Sequence, residues 1–347
     1  MTRGRLAAAV AVLALLGAAA AMLLGGAYEL SPSAAFAALL DPALWGQPGA
    51  LAHLVLGEPV ARVLGAGPPP VLDTATLIVW NVRLPRLVAG GLVGANLALS
   101  GTLFQAITRN DLASPYTLGV GAGSGLAVWI GLVVVPSLGV HLPLLASLGG
   151  ALAFVVAYSV AWRGGASPMR LVLAGVVVSA IAGSLQSALF FLARDLTVIR
   201  DAAAWTAGSL AGTGWAHVRV ALPWTLVVAT LALASARYLD VMGLGDGGAR
   251  ALGVRVERAR FLLAALAVLS AATAVAVAGH VAFVGLIVPH VVRAFVGPAH
   301  RRLIPGVLLG GAALLTLADQ GARLVLSPLQ LPVGVITGLV GACTSWA

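Results

Sequence analysis

Long apolar runs recur along this chain, separated by short polar breaks, and they decide in which environment it can fold. A helix of about 20 apolar residues crosses about 30 Å of hydrocarbon. Only 9% of the 347 residues are charged, so the chain lacks the polar surface of a water-soluble protein. The pattern predicts an all-α, polytopic membrane protein with about ten transmembrane helices in one domain, residues 1–347. The predicted spans are Leu6–Gly26, Leu87–Ile107, Leu118–Val135, Leu142–Trp162, Leu171–Ala193, Val218–Ala236, Phe261–Gly279, Val281–Val296, Leu303–Ala318 and Leu331–Ala347.

The first apolar run allows two interpretations. Basic residues precede it, as they do in a secretory signal peptide. Its length exceeds the 7–15 residues of a typical signal-peptide apolar core, and this favours an uncleaved helix.

Arginine carries all of the positive side-chain charge, because the sequence contains no lysine. With the N-terminus inside, 13 of the 20 arginines fall in cytoplasmic segments and 7 in outer segments, which fits the positive-inside rule with both termini in the cytoplasm. The net charge of +9 therefore indicates cytoplasmic loops rather than a nucleic-acid surface.

The absence of lysine excludes a P-loop lysine and a Schiff-base lysine. The single cysteine, Cys343, excludes an internal disulfide.

Two polar segments interrupt the apolar pattern. Residues 27–86 form a Pro-punctuated segment predicted to be extracytoplasmic, with a short amphipathic piece around Leu51–Leu64. Residues 237–260 are the only extended charged segment on the cytoplasmic side, and their glycines predict short helical pieces and tight turns. Asp246 is placed to cap a helix through Ala249–Leu252. This segment is either an ordinary loop or a docking surface for a partner protein.

Several polar residues lie at the predicted helix ends. Arg83 and Arg86 either snorkel to lipid phosphate or form ion pairs with an acidic partner. Asp319 and Arg323 are four positions apart and can pair with each other. The six histidines are scattered, so the sequence predicts no metal site and no catalytic residue in this chain.

Six motifs occur in order and resemble a known family. Together they are similar to the FecCD-type permeases of type II ABC importers, which carry ferric siderophores, haem or cobalamin. The similarity covers roughly Arg83 to Ala342. The motifs are Arg83-Leu-Pro-Arg86, the Gln105–Pro115 hairpin, Trp205-Thr-Ala-Gly-Ser-Leu210, the Gly-rich segment through Ala249–Gly253, Gly285-Leu-Ile-Val-Pro-His290 and Leu331-Pro-Val-Gly-Val-Ile-Thr337.

The resemblance implies the type II importer permease fold in a multi-pass protein of the bacterial inner membrane. It also implies a second permease copy or paralogue, two cytoplasmic ATPase subunits that bind ATP and Mg²⁺, and an external substrate-binding protein. This chain itself would hold no cofactor. The resemblance assigns ATPase coupling to Leu244, Asp246, Gly247, Ala249, Arg250, Leu252 and Gly253, binding-protein docking to Arg83, Arg86 and Arg323, and the cytoplasmic gate to Ser167, Pro168 and Met169.

A ferric siderophore is the first expectation for the cargo, since it is the commonest cargo of the family and Thr108-Arg-Asn110 resembles the siderophore transporters. Haem and cobalamin stay open. The chain departs from the family at Asp111, where proline is usual, and at its end, Gly341-Ala-Cys-Thr-Ser-Trp-Ala347, which predicts a shortened tenth helix.

Two functions of other classes compete with the importer. An ion-coupled secondary transporter should carry carboxylates near the membrane midplane, but Asp319 is the only acidic residue in or beside the last five spans. A membrane-embedded enzyme would need clustered histidines and carboxylates, or a nucleophile beside a base, and the sequence shows neither.

Overall fold

The computed structural model describes residues 2–24, 28, 30–66, 72–135, 141–163, 165, 167–193, 195–325 and 330–344. Helices form the framework of this part of the chain, and two of its segments, Ala52–Leu56 and Val79–Arg83, are π-helical. The α-helices are α1 Thr2–Leu24, α2 Pro32–Leu39, α3 Pro42–Trp45, α4 Pro48–Leu51, α5 Glu58–Val63, α6 Thr74–Ile78, α7 Leu84–Thr108, α8 Val120–Val133, α9 Leu142–Ala161, α10 Pro168–Leu192, α11 Leu196–Ala207, α12 Trp215–Ala234, α13 Ala236–Met242, α14 Gly245–Ala251, α15 Val256–Ala278, α16 Val284–Val296, α17 His300–Leu324 and α18 Val333–Thr344.

Within the described residues, each of the ten predicted spans contains a helix, and this confirms the polytopic all-α fold. The ends of the first and tenth spans, at Gly26 and at residues 345–347, lie outside the described residues. Six described stretches are long and apolar enough to cross a membrane: Thr74–Thr108, Leu142–Ala161, Pro168–Leu192, Trp215–Ala234, Val256–Ala278 and His300–Leu324.

Helix α7 lies at the centre of the bundle, where it packs against α12, α15, α16 and α17. Two of its glycines let other backbones approach closely. A Cβ on Gly94 would overlap the carbonyl of Gly311 in α17, and a Cβ on Gly101 would overlap the carbonyl of Gly285 in α16. Small residues at such crossings replace side-chain interdigitation with direct backbone contact, as in other membrane helix pairs.

The two ends of α7 define the two ends of the molecule. Arg86 lies in its first turn, and Arg109, which follows its last residue, contacts Asp246 of α14. We call the end with α14 the coupling end and the end with Arg86 the outer end, after the role and the location that the sequence predicts for them. At 1.5 Å per residue, the 23 positions between these arginines separate the ends by about 35 Å.

The segment predicted as a long outer loop, residues 27–86, is mostly helical where it is described. The predicted end of this loop at residue 86 was wrong, because the helix that contains the second span already begins at Thr74. Asp73 caps that start by accepting a hydrogen bond from the backbone N–H of Thr76 at 2.9 Å. Trp80 donates to the carbonyl of Ala38 at 3.1 Å and so ties the outer helices to the bundle.

The eighth span contains a proline that does not break its helix. Helix α16 continues through Pro289, because neighbouring groups can accommodate one missing hydrogen bond in a membrane helix. The break lies before α16, at Gly279 to Phe283, where both of these residues have positive φ. Helix α16 has only 13 residues, which span about 20 Å and do not cross the hydrocarbon alone.

Candidate functional site

The coupling segment, Leu244–Val254, is organised around the carboxylate of Asp246. The Nη2 atom of Arg260 in α15 donates to Asp246 Oδ1 at 2.7 Å, and Nη2 of Arg109 lies 3.6 Å from the same oxygen. Arg260 is 1% exposed and also donates to Glu257 Oε1 at 3.3 Å. These ion pairs hold α14 against the ends of both α7 and α15.

Asp246 was expected to cap α14, and this was wrong. The helix begins one residue earlier, at Gly245, and Leu244 occupies the cap position without a side-chain hydrogen bond. Asp246 therefore lies in the first turn, where a carboxylate favours the positive end of the helix dipole. In this position its carboxylate accepts from the buried Arg260.

The seven residues assigned to ATPase coupling divide into two sets. Leu244 and Leu252 are 66% and 62% exposed, which is unusual for leucine outside the apolar layer, and Gly247, Arg250 and Gly253 are also exposed. Asp246 is only partly exposed, and Ala249 is fully buried in the main hydrophobic core. The exposed set forms the surface that a partner can touch, whereas Asp246 and Ala249 hold the segment in place from inside.

The turn assigned to the gate follows a glycine that lies beside the same network. Ser167 caps α10 by accepting from the backbone N–H of Arg170 at 3.4 Å, Pro168 is the first helical residue, and Met169 is exposed. Just before it, Gly165 lies against Glu257, because a Cβ on Gly165 would be only 2.9 Å from Glu257 Oε1. Ion pairs therefore join Asp246 to Arg260 and Arg260 to Glu257, Glu257 lies beside Gly165, and Arg170 of α10 donates to the carbonyl of Gly165 at 2.8 Å.

The three arginines of the outer end differ in their surroundings. Arg83 is 3% exposed and donates to the carbonyls of Leu23 and Tyr28, so it holds the C-terminal end of α1. Arg86 is also buried and makes a bidentate pair with Asp319 of α17, through Nε and Nη2 at 2.8 Å each. Arg323 is partly exposed and lies within electrostatic reach of Arg83, Arg86 and Asp319.

The sequence did not anticipate the partner of Arg86. Asp319 was paired with Arg323 by its spacing of four positions, whereas the structure gives it the bidentate contact with Arg86, 233 positions away. Arg323 was placed just past the ninth span but lies in the last turn of α17, which continues to Leu324. Of the three arginines, Arg323 is the one whose side chain is partly exposed, while Arg83 and Arg86 are buried and contact groups inside the chain.

The Gln105–Pro115 hairpin is held by α16. The Nη1 atom of Arg293 donates to Asp111 Oδ1 at 2.7 Å, and its Nη2 atom donates to Gln105 Oε1 at 3.0 Å. The aspartate that replaces the usual proline thus gains a partner on a neighbouring helix. The charge pair offers a substitute for the conformational restriction that proline would supply.

A meeting point of helix ends was missed by sequence reasoning. Three segments join there through backbone groups: Ser209 donates to Ala278 at 2.8 Å, His280 to Trp205 at 3.3 Å, and Gly334 to Gly208 at 3.2 Å. Interrupted helices in membrane proteins leave backbone groups that line binding sites and pathways. The available signal was the pair of short apolar segments with glycine at their borders, around Gly208 and Gly279.

An aromatic contact closes the same meeting point. The hydroxyl oxygen of Tyr116 accepts a hydrogen bond from the backbone N–H of Val281 at 3.2 Å, and the ring centre of Tyr116 lies 4.1 Å from that of His280. His280, which appeared in the sequence as one of six scattered histidines, is therefore built into the junction of α15 and α16.

Comparison with known proteins agrees with this arrangement. A model of the FecCD transport family matches residues 12–344. The Fe(3+) dicitrate transport system permease protein FecD of Escherichia coli is 44% identical over 266 residues, which are 76% of this chain and 82% of that protein. The cobalamin import system permease protein BtuC of Halobacterium salinarum is 42% identical over 275 residues, 78% of this chain and 73% of that protein.

A solved structure of a metal-chelate type ABC transporter in an inward-facing conformation superposes on the chain with a TM-score of 0.77. The two are 28% identical, and the match covers 97% of this chain and 96% of the other. Taken with the family match over residues 12–344, the ordered motifs and the helical bundle, this shows that the chain belongs to the FecCD transport family.

Proposed function

We propose that this chain is the permease subunit of an ABC importer that moves a ferric chelate across the bacterial inner membrane. Support for iron comes from the relative named for Fe(3+) dicitrate and from the neighbour described as a metal-chelate transporter. The relative named for cobalamin keeps that cargo as the second candidate. ATP and Mg²⁺ bind to partner ATPase subunits in this proposal, and this chain contributes no catalytic group.

The contact path at the coupling end is the observation that carries the proposal. The exposed leucines Leu244 and Leu252 form the docking surface for an ATPase subunit. Asp246, Arg260 and Glu257 connect that surface to Gly165, which precedes the gate turn and accepts from Arg170 of α10. Movement of the ATPase subunits would thus reach both α15 and the start of α10, where an opening on the cytoplasmic side is controlled.

Alternating access also requires a partner at the outer end and a second permease chain. We propose that Arg323 is the principal arginine for the external binding protein, because its side chain is partly exposed. Arg83 and Arg86 then shape the docking surface by fixing α1 and α17 around it. The second permease chain is either another copy or a paralogue.

Transport by the reconstituted complex tests the proposal. Proteoliposomes would contain this chain, its ATPase subunits and its binding protein, and uptake of radiolabelled iron as ferric dicitrate would be compared with uptake of cobalamin and haemin. We expect ATP-dependent accumulation of the ferric chelate above both other cargoes. Preferential uptake of cobalamin would reassign the cargo, and uptake driven by an ion gradient without ATP would refute the importer proposal.

The double substitution Leu244→Asp and Leu252→Asp tests the docking surface in the same vesicles. Both side chains are exposed, so the variant should fold as the wild type does. We expect the ATPase subunits to dissociate and uptake to be lost. The matched control is Leu112→Asp, since Leu112 is 71% exposed on the Gln105–Pro115 hairpin at the same end of the molecule. Equal uptake by the double variant and the control would remove the assignment.

A further inference from the structure

A cavity of about 720 Å³ opens beside the coupling segment, between the end of α12, α13 and the first half of α15. One of its walls is apolar and consists of leucines from two helices. Leu263 and Leu266 are buried at its floor, whereas Leu231 and Leu262 are 49% and 58% exposed at its rim. The other end of the cavity is polar, and is lined by Ser235, Tyr238, Arg255 and Arg258.

The two arginines at the polar end have no carboxylate partner among the residues that the structure describes. Glu257 lies between them in sequence, but its carboxylate contacts Arg260 and Arg250 instead. Both Arg255 and Arg258 are exposed. They also stand at the N-terminal end of α15, where the helix dipole adds to the positive potential. The polar end therefore favours an anion.

The length of the cavity fits one leaflet of a bilayer. Arg255 immediately precedes α15, and Leu266 lies 11 positions further along the same helix. That distance is about 16 Å along the helix axis, close to half of the roughly 30 Å of hydrocarbon in a bilayer. A ligand in this cavity would have a charged group at the membrane surface and an apolar part directed toward the midplane.

We propose that this cavity binds an anionic phospholipid of the cytoplasmic leaflet. Arg255 and Arg258 hold the phosphate, and an acyl chain lies along Leu231, Leu262 and Leu266. Basic pockets between membrane helices on the cytoplasmic side are suited to acidic lipid headgroups. The half-exposed leucines extend into the apolar layer, where a cytoplasmic ATPase subunit cannot reach, so the geometry favours lipid over protein as the occupant.

The site adjoins the coupling segment, because Leu252 and Gly253 line the same cavity. A bound lipid would pack against the segment between α14 and α15 without covering Leu244, the exposed residue before α14, which lines no part of the cavity. The proposal does not depend on the cargo, and it shares only the rim residue Leu252 with the surface proposed for the ATPase subunit.

Lipid titration of the full-length chain tests the proposal. The delipidated protein in detergent micelles would be titrated with dioleoyl-phosphatidylglycerol and, separately, with dioleoyl-phosphatidylcholine, and bound lipid would be counted by native mass spectrometry. We expect one phosphatidylglycerol site that the double variant Arg255→Gln/Arg258→Gln weakens about thirtyfold, the typical effect of two arginines near an anionic lipid surface. Phosphatidylcholine, whose phosphate charge is balanced by its choline, should bind more weakly to the wild type and lose less affinity in the variant.

Three further variants separate binding in the cavity from nonspecific attraction and from misfolding. Arg301→Gln/Arg302→Gln removes the same charge from two exposed arginines at the same end that line no part of the cavity, and should bind as the wild type does. Arg255→Lys/Arg258→Lys keeps the charge and should retain most of the affinity, which separates binding from misfolding. Ala259→Phe narrows the apolar wall and should weaken phosphatidylglycerol while leaving both arginines in place.

Three outcomes would overturn the proposal. The first is equal phosphatidylglycerol affinity in the Arg255→Gln/Arg258→Gln and Arg301→Gln/Arg302→Gln variants, which would show only nonspecific attraction. The second is full competition by glycerophosphoglycerol, the headgroup without acyl chains, which would show a site for soluble phosphates. The third is displacement of the lipid by purified ATPase subunits, which would assign the cavity to the protein interface.

Discussion

Arginine–carboxylate pairs occur at both ends of this molecule, but one end has a buried pair between two helices and the other has a partly exposed network. At the outer end, Arg86 and Asp319 are both buried and join α7 directly to α17. At the coupling end, Asp246 and Glu257 are about one-third exposed and surround the buried Arg260. The outer pair is sealed within the helix bundle, whereas the coupling network extends to an exposed surface.

This difference in burial shows how the same type of ion pair can either fix two helices together or transmit movement between segments. A sealed bidentate pair has one satisfied arrangement, and breaking it leaves a charge in an apolar environment. A network with two carboxylates around one guanidinium can exchange partners, because Arg260 keeps one contact when the other lengthens. We therefore expect the outer end to act as a rigid support and the coupling end to transmit movement.

The largest effect is expected from Asp319→Ala. This substitution leaves Arg86 buried without its bidentate partner, which should lower the free energy of unfolding by about 3–5 kcal/mol. The measurement is denaturant unfolding of the purified chain in micelles. The control is Glu58→Ala, which removes the partner of Arg62 in a pair with both side chains largely exposed and should cost less than about 1 kcal/mol. Similar losses in the two variants would show that the outer pair is not sealed.

An intermediate effect is expected from Asp246→Ala. Arg260 keeps Glu257 as a partner, so the loss should be limited to one charged hydrogen bond, about 1.5–3 kcal/mol of unfolding free energy. The more informative readout is the number of cargo molecules imported per ATP hydrolysed in proteoliposomes, which should fall. The control Asp240→Ala removes the partner of His300 at the same end and should leave that ratio unchanged. An unchanged ratio in Asp246→Ala would contradict the transmitting role.

The smallest effect is expected from Arg323→Glu. A partly exposed arginine in a partly solvated interface should contribute about 0.2–1 kcal/mol, so affinity for the external binding protein should fall by about 1.4-fold to fivefold. Because rim charges act mainly on association, the association rate and its salt dependence should also decrease. Surface plasmon resonance at two salt concentrations would measure both.

The control for this prediction is Arg62→Glu, a reversal of the same charge on the predicted outer segment, at a side chain that is 73% exposed. It should leave the affinity unchanged. If Arg323→Glu also binds as the wild type does, at both salt concentrations, Arg323 has no docking role and snorkelling to lipid phosphate explains it better.

Short segments show where sequence reasoning failed. Helix α11, Leu196–Ala207, was not predicted, because its Arg200 and Asp201 interrupt the apolar run and it is too short to span a membrane. Proline is the strongest local signal for a helix break, but α16 stays intact through Pro289, and the break at Gly279–Phe283 lies at the boundary between the predicted seventh and eighth spans. In the bundle, the backbone groups released near the break find partners on other segments, and one helix-internal proline is tolerated.

The sequence also did not indicate which side chains of the short helix α14 are buried. Ala249 lies in the segment that resembles the family's coupling region, and nothing in its neighbours distinguishes it from Leu252. The structure buries Ala249 and exposes Leu252 at the end of the same short helix. A helix of seven residues has too few turns for an apolar period to indicate which face packs inward.

The sequence by itself determined the helical class, the membrane environment and the family. Span lengths and charge depletion are summed over hundreds of residues, and the six motifs occur in order, so no single position decides them. Only the tertiary structure decided which charges meet: Arg86 with Asp319, Arg260 with Asp246, and Arg293 with Asp111. Two of these pairs join residues more than 180 positions apart, and such contacts arise from helix crossings that local spacing does not encode.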